Sequence, residues 1–462
     1  MDETALEALA GLERSIAGRV IRPGDADFDD ARRTFNGTVD RQPAVIVQPD
    51  DIASVVTAVR AATGAGLPIS VRGGGHSVTG HAMADGAVCI DLRHMRGVVV
   101  DPAAKRAIVQ GGAIWEDVDR ATMPHGLATT GGTFWDTGVG GLTLSGGLGY
   151  LMGTNGLTCD NVLRATVVTA AGEIVEAGPA GDPELLWALR GGGGNFGIVT
   201  EFEFRLQAIG PFQVGRFVVR IEESADALIG LAAFAHEAPD EAMIYATGPT
   251  VEFEPKVDEA PIGPADFLAI HVTYQGSRQA AETALAPITA LPGVQGGFQT
   301  QTYEAVQIGN GTLPFGLRHY WKGHMVRDIE PATAEAVVAG MRSRPGGISF
   351  LLLEAFTGQA RNEPDGGAAF GQRGARWNVS ALAIWEDPAD DAREIAWARQ
   401  VAGSVAPASY SGAGYANYAS SDESDERVRA AFGPERFARL QAVKRRYDPD
   451  NVFRFNLNVP PA

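Results

Sequence analysis

The chain has 462 residues, a formal net charge of −18 and an ordinary globular composition, with 45% hydrophobic and 20% charged residues. So acidic a surface argues against nucleic acid or an anionic membrane as a general partner, because both require basic groups. No apolar run reaches the roughly 18 residues of a membrane helix, and the two cysteines, Cys89 and Cys159, make neither a disulfide framework nor a metal site.

A single core stops growing near roughly 250–300 residues, so two domains are expected. The start, MDETALEALAGLERSIAG, is acidic and amphipathic and lacks the basic start and apolar core of a secretory signal, which predicts a cytoplasmic protein. PAVIVQP then reads as a strand. DDIASVVTAVRAATGAG reads as a helix, with an acidic beginning, Val55, Val56 and Val59 as its apolar positions and a glycine stop. PISVR is a second strand and runs into the loop RGGGHSVTGH. AVCIDL, GVVVD and RAIVQGG are strands, IWEDVDRATMPHG a helix, ATVVTAAGEIVEAG a hairpin, and PELLWALR a helix opening on proline.

After GIVTEFEFRLQAIG the texture changes. Long strand patterns (FQVGRFVVRI, DFLAIHVTYQ, SFLLLEAF, RWNVSALAIW) are separated by helices such as SRQAAETALAPITAL, which predicts an antiparallel sheet covered by helices. The loop RNEPDGGAAFGQRG reads as mobile or lid-like. The fold class is α+β, with a first domain over 1–206, a second over 207–409 and a terminal segment over 410–462. That segment holds the helix PERFARLQAVKRRY, a DPDN turn and the tail VFRFNLNVPPA.

Three glycine-rich tracts fall within the first domain. GGGNFG (192–197) spells G-x-G-x-x-G, but a helix precedes it and a strand follows. That order is the reverse of a dinucleotide fingerprint, so a Rossmann site is rejected. No lysine completes a phosphate P-loop, GHSVT around Ser77 lacks the closing glycine of a hydrolase elbow, and no HExxH zinc motif occurs. GVGGLTLSGGLG (138–149) alone could be tight turns. Together with RGGGH, the tracts look like backbone wrapped around a long phosphate-bearing ligand through N–H donors.

RGGGHS, TGVGGLTLSGGLGYLMGTNGLTCDN, LRGGGGNFGIVTEF and YDPDNVFRFNLNVP, in that order and spacing, resemble the berberine bridge enzyme-like flavoproteins. These have the vanillyl-alcohol oxidase (PCMH-type) FAD-binding fold, with two α/β subdomains beside the substrate domain. The resemblance implies FAD held by Arg72, Gly73, Gly74, Gly75, His76 and Ser77. It also implies contacts from Thr137, Gly138, Val139, Gly141, Gly147, Asn161, Gly197, Ile198, Val199, Asn456 and Asn458. The last two would bring the segment from about 410 back to the FAD domain. His76 stands where the family joins its histidine to the 8α carbon, and a neutral imidazole is a competent nucleophile there; an N-cap or a satisfied core histidine is the bland reading. Many members add a link from cysteine; Phe134 holds that place, so one covalent bond is expected, with Cys159 a buried thiol. Asp136 stands where bacterial members often have histidine. Val139 lies near a position that admits or blocks oxygen, and its small side chain is similar to the oxidases.

The family chemistry is hydride transfer to the flavin while a base takes the O–H or N–H proton. Tyr418, at the end of GYANY, matches the tyrosine base of several members, against a packing aromatic; Tyr415 reads as packing. Glu354 interrupts the apolar strand FLLLEAF, so it is either paired with an arginine or facing a cavity. Asn378 and Trp321 are candidate substrate contacts, Lys322 is undecided, and the remaining histidines read as structural or surface. The expected activity is an oxidase acting with O2 on a hydroxyl-bearing small molecule such as a sugar, a glycosylated metabolite or a secondary alcohol, and yielding H2O2. A dehydrogenase with another acceptor, an amine-oxidising member and a non-catalytic flavoprotein are the alternatives. No metal is expected, and the sequence does not set the oligomeric state.

Overall fold

The computed structural model describes residues 11–248, 256–257, 260–261, 267–309, 311–312, 314–346 and 348–462, so most of the acidic N-terminal stretch lies outside the described residues. The β-branched run Val45–Pro49 (β2) is fully buried. It joins Gly18–Ile21 (β1), Ile69–Arg72 (β3) and Val88–Asp91 (β4) in a sheet of order β1-β2-β4-β3, with β2 and β3 parallel to β4. The helix Ile52–Gly64 begins where the Asp51 carboxylate accepts the Ser54 N–H at 2.8 Å. It buries Val55, Ala58, Val59 and Ala62 against Val45, Val47, Val88 and Ile90.

A second sheet is antiparallel. Its strands are Val98–Asp101 (β5), Arg106–Gln110 (β6), Val162–Val168 (β7), Ile174–Ala177 (β8) and Ile198–Arg205 (β9), in the order β5-β6-β9-β7-β8. The expected hairpin is β7–β8. The C-terminal segment packs here: Val428, Phe432, Phe437, Leu440, Val443 and Val459 share a core with Phe202 and Phe204 of β9. Buried Lys444 organises the terminal turn, donating to Asp448, to the carbonyl of Asn195 at 2.8 Å and to that of Phe453 at 2.9 Å.

The third sheet has seven antiparallel strands. Phe212–Arg220 (β10), Ala242–Thr247 (β11), Phe267–Gln275 (β12), Gln295–Gln301 (β13), Arg318–Val326 (β14), Phe350–Ala355 (β15) and Trp377–Trp385 (β16) lie in the order β13-β10-β12-β11-β15-β16-β14. Alternation separates its faces. Phe217, Val219, Ile244, Ala246, Leu268, Ile270, Leu351, Leu353, Val379 and Ala381 pack under the helices Ser224–Glu237, Pro331–Arg342 and Asp391–Val405. Their neighbours in each strand point to the opposite face, towards the glycine tracts.

Within the tract 138–149, Val139–Leu144 forms a short helix. The structure corrects two expectations. SRQAAETALAPITAL is two pieces, Arg278–Ala284 and Ala286–Thr289, because Pro287 cannot continue the first. The loop RNEPDGGAAFGQRG is tied down rather than lid-like. Its buried Arg373 pairs with Asp160 at 2.5 Å, Ala369 and Phe370 are buried, and Arg190 donates to the carbonyls of Asp365 and Gly367 at 2.7 and 3.1 Å. Breaking a buried pair from one side costs about 3–5 kcal/mol. Arg373→Met should therefore lower the urea midpoint by that equivalent; an unchanged midpoint would show that the pair does not hold the loop.

Candidate active site

The glycine loop leaves β3 and meets the tract after Thr137 backbone to backbone. A Cβ on Gly138 would stand 2.3 Å from the Gly74 nitrogen, and one on Gly74 would stand 2.5 Å from the Gly138 nitrogen. Both glycines are therefore obligatory for this crossing. Gly75 turns with φ +76, in the left-handed region, and presents His76 at the wall of a cavity of about 650 Å3. The His76 ring stacks on Phe35 at 5.0 Å and meets the edge of Phe315 at 5.0 Å. Its Nε2 lies 3.5 Å from the Asp136 carboxylate and makes no hydrogen bond among the described residues.

Phe35–Gly37 carry this loop to the third sheet. The Phe35 N–H donates to the Gly75 carbonyl at 3.0 Å, and the Asn36 amide donates to the carbonyls of Val78 and His319 at 2.6 and 3.0 Å. From the other side, Asn195 of the third glycine tract donates to the Leu457 carbonyl at 3.2 Å and accepts the Val459 N–H at 3.0 Å. The tail is thereby held at the cavity. Asn456 donates to the Gly194 carbonyl at 3.2 Å, and the side-chain oxygens of Asn456 and Asn458 are buried with no partner among the described residues.

Glu354, on β15, is 3% exposed and has no arginine partner among the described residues; its partners there are neutral. Asn378 donates to Oε2 at 2.8 Å and is itself held by the Ser380 hydroxyl at 2.9 Å, while the Tyr418 hydroxyl donates to Oε1 at 3.1 Å. Burial pushes the carboxyl up to about 7, the two hydrogen bonds opposing it. The Tyr418 hydroxyl is raised well above its ordinary value, first by burial and then by Glu354, so the phenol keeps its proton and the carboxylate is the better acceptor. Trp321 sets its ring edge-on to Tyr418 at 5.5 Å. Tyr415 does more than pack: its oxygen accepts the Gly147 N–H and the Asn417 amide, each at 2.8 Å.

Cross-strand register extends this site. Asn378, Glu354, Tyr245, His271 and Arg216 are successive partners across β16, β15, β11, β12 and β10, so they project on one face. Glu354, Tyr245, His271 and Arg216 all line the cavity. The Tyr245 and His271 rings stack at 4.5 Å, nearly parallel, and burial lowers His271 to about 3, with the Arg216 charge adding to the effect. The reading of every histidine but His76 as structural or surface missed His81 and His271, both of which line the cavity. The signal that marked Glu354, a polar residue interrupting an apolar strand, is also present in AIHVTY and QVGRFVV.

Of the expected residues, Gly73–Ser77, Phe134, Thr137, Gly138, Gly141, Gly197–Val199, Trp321, Glu354, Tyr418 and Asn456 line one cavity. Four lie elsewhere. Arg72 is buried and donates to the Ala31 carbonyl at 2.6 Å. Val139 is fully buried in the core with Trp115, so its side chain is not set to gate oxygen at the cavity. Asn161 closes a turn on the carbonyls of Asn155 and Leu157. Gly147 serves Tyr415. Lys322 points away from the cavity, to Asp422 at 2.9 Å, and Cys159 is fully buried. Among the described residues, no group of three His, Cys, Asp or Glu could hold a metal, and no helix is long and apolar enough to cross a membrane.

Two family models match: an FAD-binding domain over residues 43–178, and a berberine and berberine-like segment over 414–460. The chain is 33% identical over 460 residues to (R)-6-hydroxynicotine oxidase of Paenarthrobacter nicotinovorans, covering 97% of each. It belongs to the berberine-like family of FAD-linked oxidoreductases. Among solved structures, this berberine-like oxidoreductase matches 6-hydroxy-D-nicotine oxidase of Arthrobacter nicotinovorans with a TM-score of 0.86 at 30% identity, over 97% of this chain and 99% of the other. It shares its fold with glucooligosaccharide oxidase of Acremonium strictum, whose FAD is 6-S-cysteinyl and 8α-N1-histidyl, at a TM-score of 0.87 and 22% identity, over the full length of both.

The shifted carboxyl has a sign that can be measured. Between its ordinary 4.5 and about 7, folded Glu354 holds a proton that the unfolded chain has released. Its contribution to stability is therefore largest at the acid end and falls as pH rises towards 7, by up to about 1.4 kcal/mol per pH unit. Glu354→Gln should remove that slope in urea titrations between these pH values. Parallel curves for the two proteins would contradict the shift.

Proposed function

We propose that this oxidoreductase is an oxidase of a hydroxyl-bearing small molecule, with Glu354 and Tyr418 taking the hydroxyl proton and FAD held by a single covalent bond to His76. The observation that carries the reading is the Tyr418–Glu354 hydrogen bond at the wall of the cavity that also holds His76. The cradle suits FAD on its own features. Gly73–Gly75 and Gly138 bring side-chain-free backbone to the wall, and the unpartnered oxygens of Asn456 and Asn458 suit the donor edge of a flavin. Bound there, FAD supplies hydride acceptance at N5, with O2 as the final acceptor and H2O2 as the product.

The protein's part is protonic and positional. The substrate hydroxyl gives its proton to the Tyr418 oxygen as Tyr418 passes its own to Oε1 of Glu354. Asn378 holds the carboxylate in place throughout, and a carboxyl near 7 accepts this proton around neutrality. Asp136, beside Nε2 of His76, favours the tautomer with the proton on that nitrogen and leaves Nδ1 as the nucleophile. Phe134 at the wall supplies no sulfur for a second link. The likeness to (R)-6-hydroxynicotine oxidase favours one other reading, oxidation of an amine, for which the same pair would accept an N–H proton.

Acid-precipitated protein should stay yellow, and the intact chain should carry the mass of one flavin; His76→Ala should lose both, and a colourless wild-type precipitate refutes the bond. On a panel of sugars, secondary alcohols and amines with peroxide detection, an alcohol should turn over. kcat/KM should rise with pH through about 7 as Glu354 ionises. Glu354→Gln should lower it by about 10²–10⁴-fold, the usual worth of a positioned base. Turnover of amines alone would select the second reading.

A further inference from the structure

The row that ends on the Glu354 base begins, three strands away, on a cation. Arg216 of β10 faces His271, His271 faces Tyr245, and Tyr245 faces Glu354. At a strand spacing of about 4.8 Å, the two ends stand about 14 Å apart, backbone to backbone. Among the described residues lining the cavity, Arg216 is the one Lys or Arg and Glu354 the one Asp or Glu.

The Arg216 side chain is exposed and makes no ion pair or hydrogen bond among the described residues, in a chain with 56 acidic and 38 basic residues where many arginines are paired. Its Nη2 lies 4.0 Å from where a Cβ on Gly309 would stand, so no side chain crowds it on that side. The groups facing it among the described residues are neutral: His271 is held uncharged, and the hydroxyl of Tyr150 is protonated. The stacked Tyr245–His271 pair stands between the cation and the base. A guanidinium on a cavity wall that no carboxylate among the described residues answers is suited to recognise a planar anion in two-point contact.

We propose that Arg216 is the anion subsite of this cavity and that the substrate carries a carboxylate at the end remote from the bond that is oxidised, within the span of three strand spacings. The proposal rests on the reading of Glu354 and Tyr418 as the reacting end. It narrows the substrate from hydroxyl-bearing molecules at large to elongated hydroxy acids, and it makes Arg216 a specificity-determining residue with no part in the proton transfer.

The test is calorimetric and uses the holoenzyme with two probes, para-hydroxymethyl-phenylbutyrate and its uncharged primary amide. Wild type should bind the carboxylate about tenfold or more tightly than the amide. Arg216→Gln should abolish the difference while leaving amide affinity unchanged, and Arg216→Lys should keep part of it. Glu354→Gln should retain the preference, because the anion is read at the far end. Equal affinity in wild type, no binding of the carboxylate, or a preference that survives Arg216→Gln overturns the subsite. Absence of turnover with the preference intact would refute the proton-transfer reading and leave the subsite standing.

Discussion

Gly74 and Gly138 touch through their backbones, and the site depends on that contact. With a hypothetical Cβ of either residue within 2.5 Å of the other's nitrogen, a side chain at either place would push apart the loop that carries His76 and the tract that follows Thr137. The chain here gives up conformational restriction in order to let two strings of amide donors converge. The arrangement persists because it is held from outside. Asn36 ties the first loop to β14, Tyr415 ties Gly147 to the terminal segment, and Asn195 and Lys444 tie the third glycine tract to the tail. Each cross-tie uses a buried polar group whose capacity is largely met, which converts a flexible composition into a fixed cradle.

The seven-stranded sheet solves a second problem by its period of two. One set of side chains is aliphatic and aromatic and lies under three helices; the alternate set faces the cavity and can be polar. Glu354 is affordable only in this setting. Its carboxyl is removed from water, which raises its proton affinity, yet Asn378 and Tyr418 supply enough hydrogen bonding for the ionised form to remain accessible. A surface carboxylate would stay ionised and be a weak acceptor at neutral pH. A carboxyl with no donors around it would hardly ionise at all.

The strand and helix order of the first 205 residues, the antiparallel second half and the oddity of Glu354 were legible in the sequence, because periodicity and an acid in an apolar strand are local signals; His76 and Tyr418 stood out through the family resemblance, and both line the cavity with Glu354. What was not legible is cross-strand placement. Nothing in a linear reading sets Arg216 opposite His271, or His271 opposite Tyr245, since register is decided by pairing across long separations. Composition misled in the loop 361–374, where glycine and charge suggested mobility; Arg373 finds Asp160 more than two hundred positions earlier in the chain. Arg72 and Asn161 look like ligand contacts by position alone, but Asn161 spends its amide on Asn155 and Leu157, and Arg72 reaches Ala31 from Nη1.

That fastened loop also governs how the two lobes move. It runs between β15 and β16 of the large sheet, yet its anchors, Asp160, Trp187 and Arg190, belong to the other lobe. It therefore works as a rivet across the cleft. A hinge-like swing of the lobes at this place would have to break the buried Arg373–Asp160 pair, at about 3–5 kcal/mol.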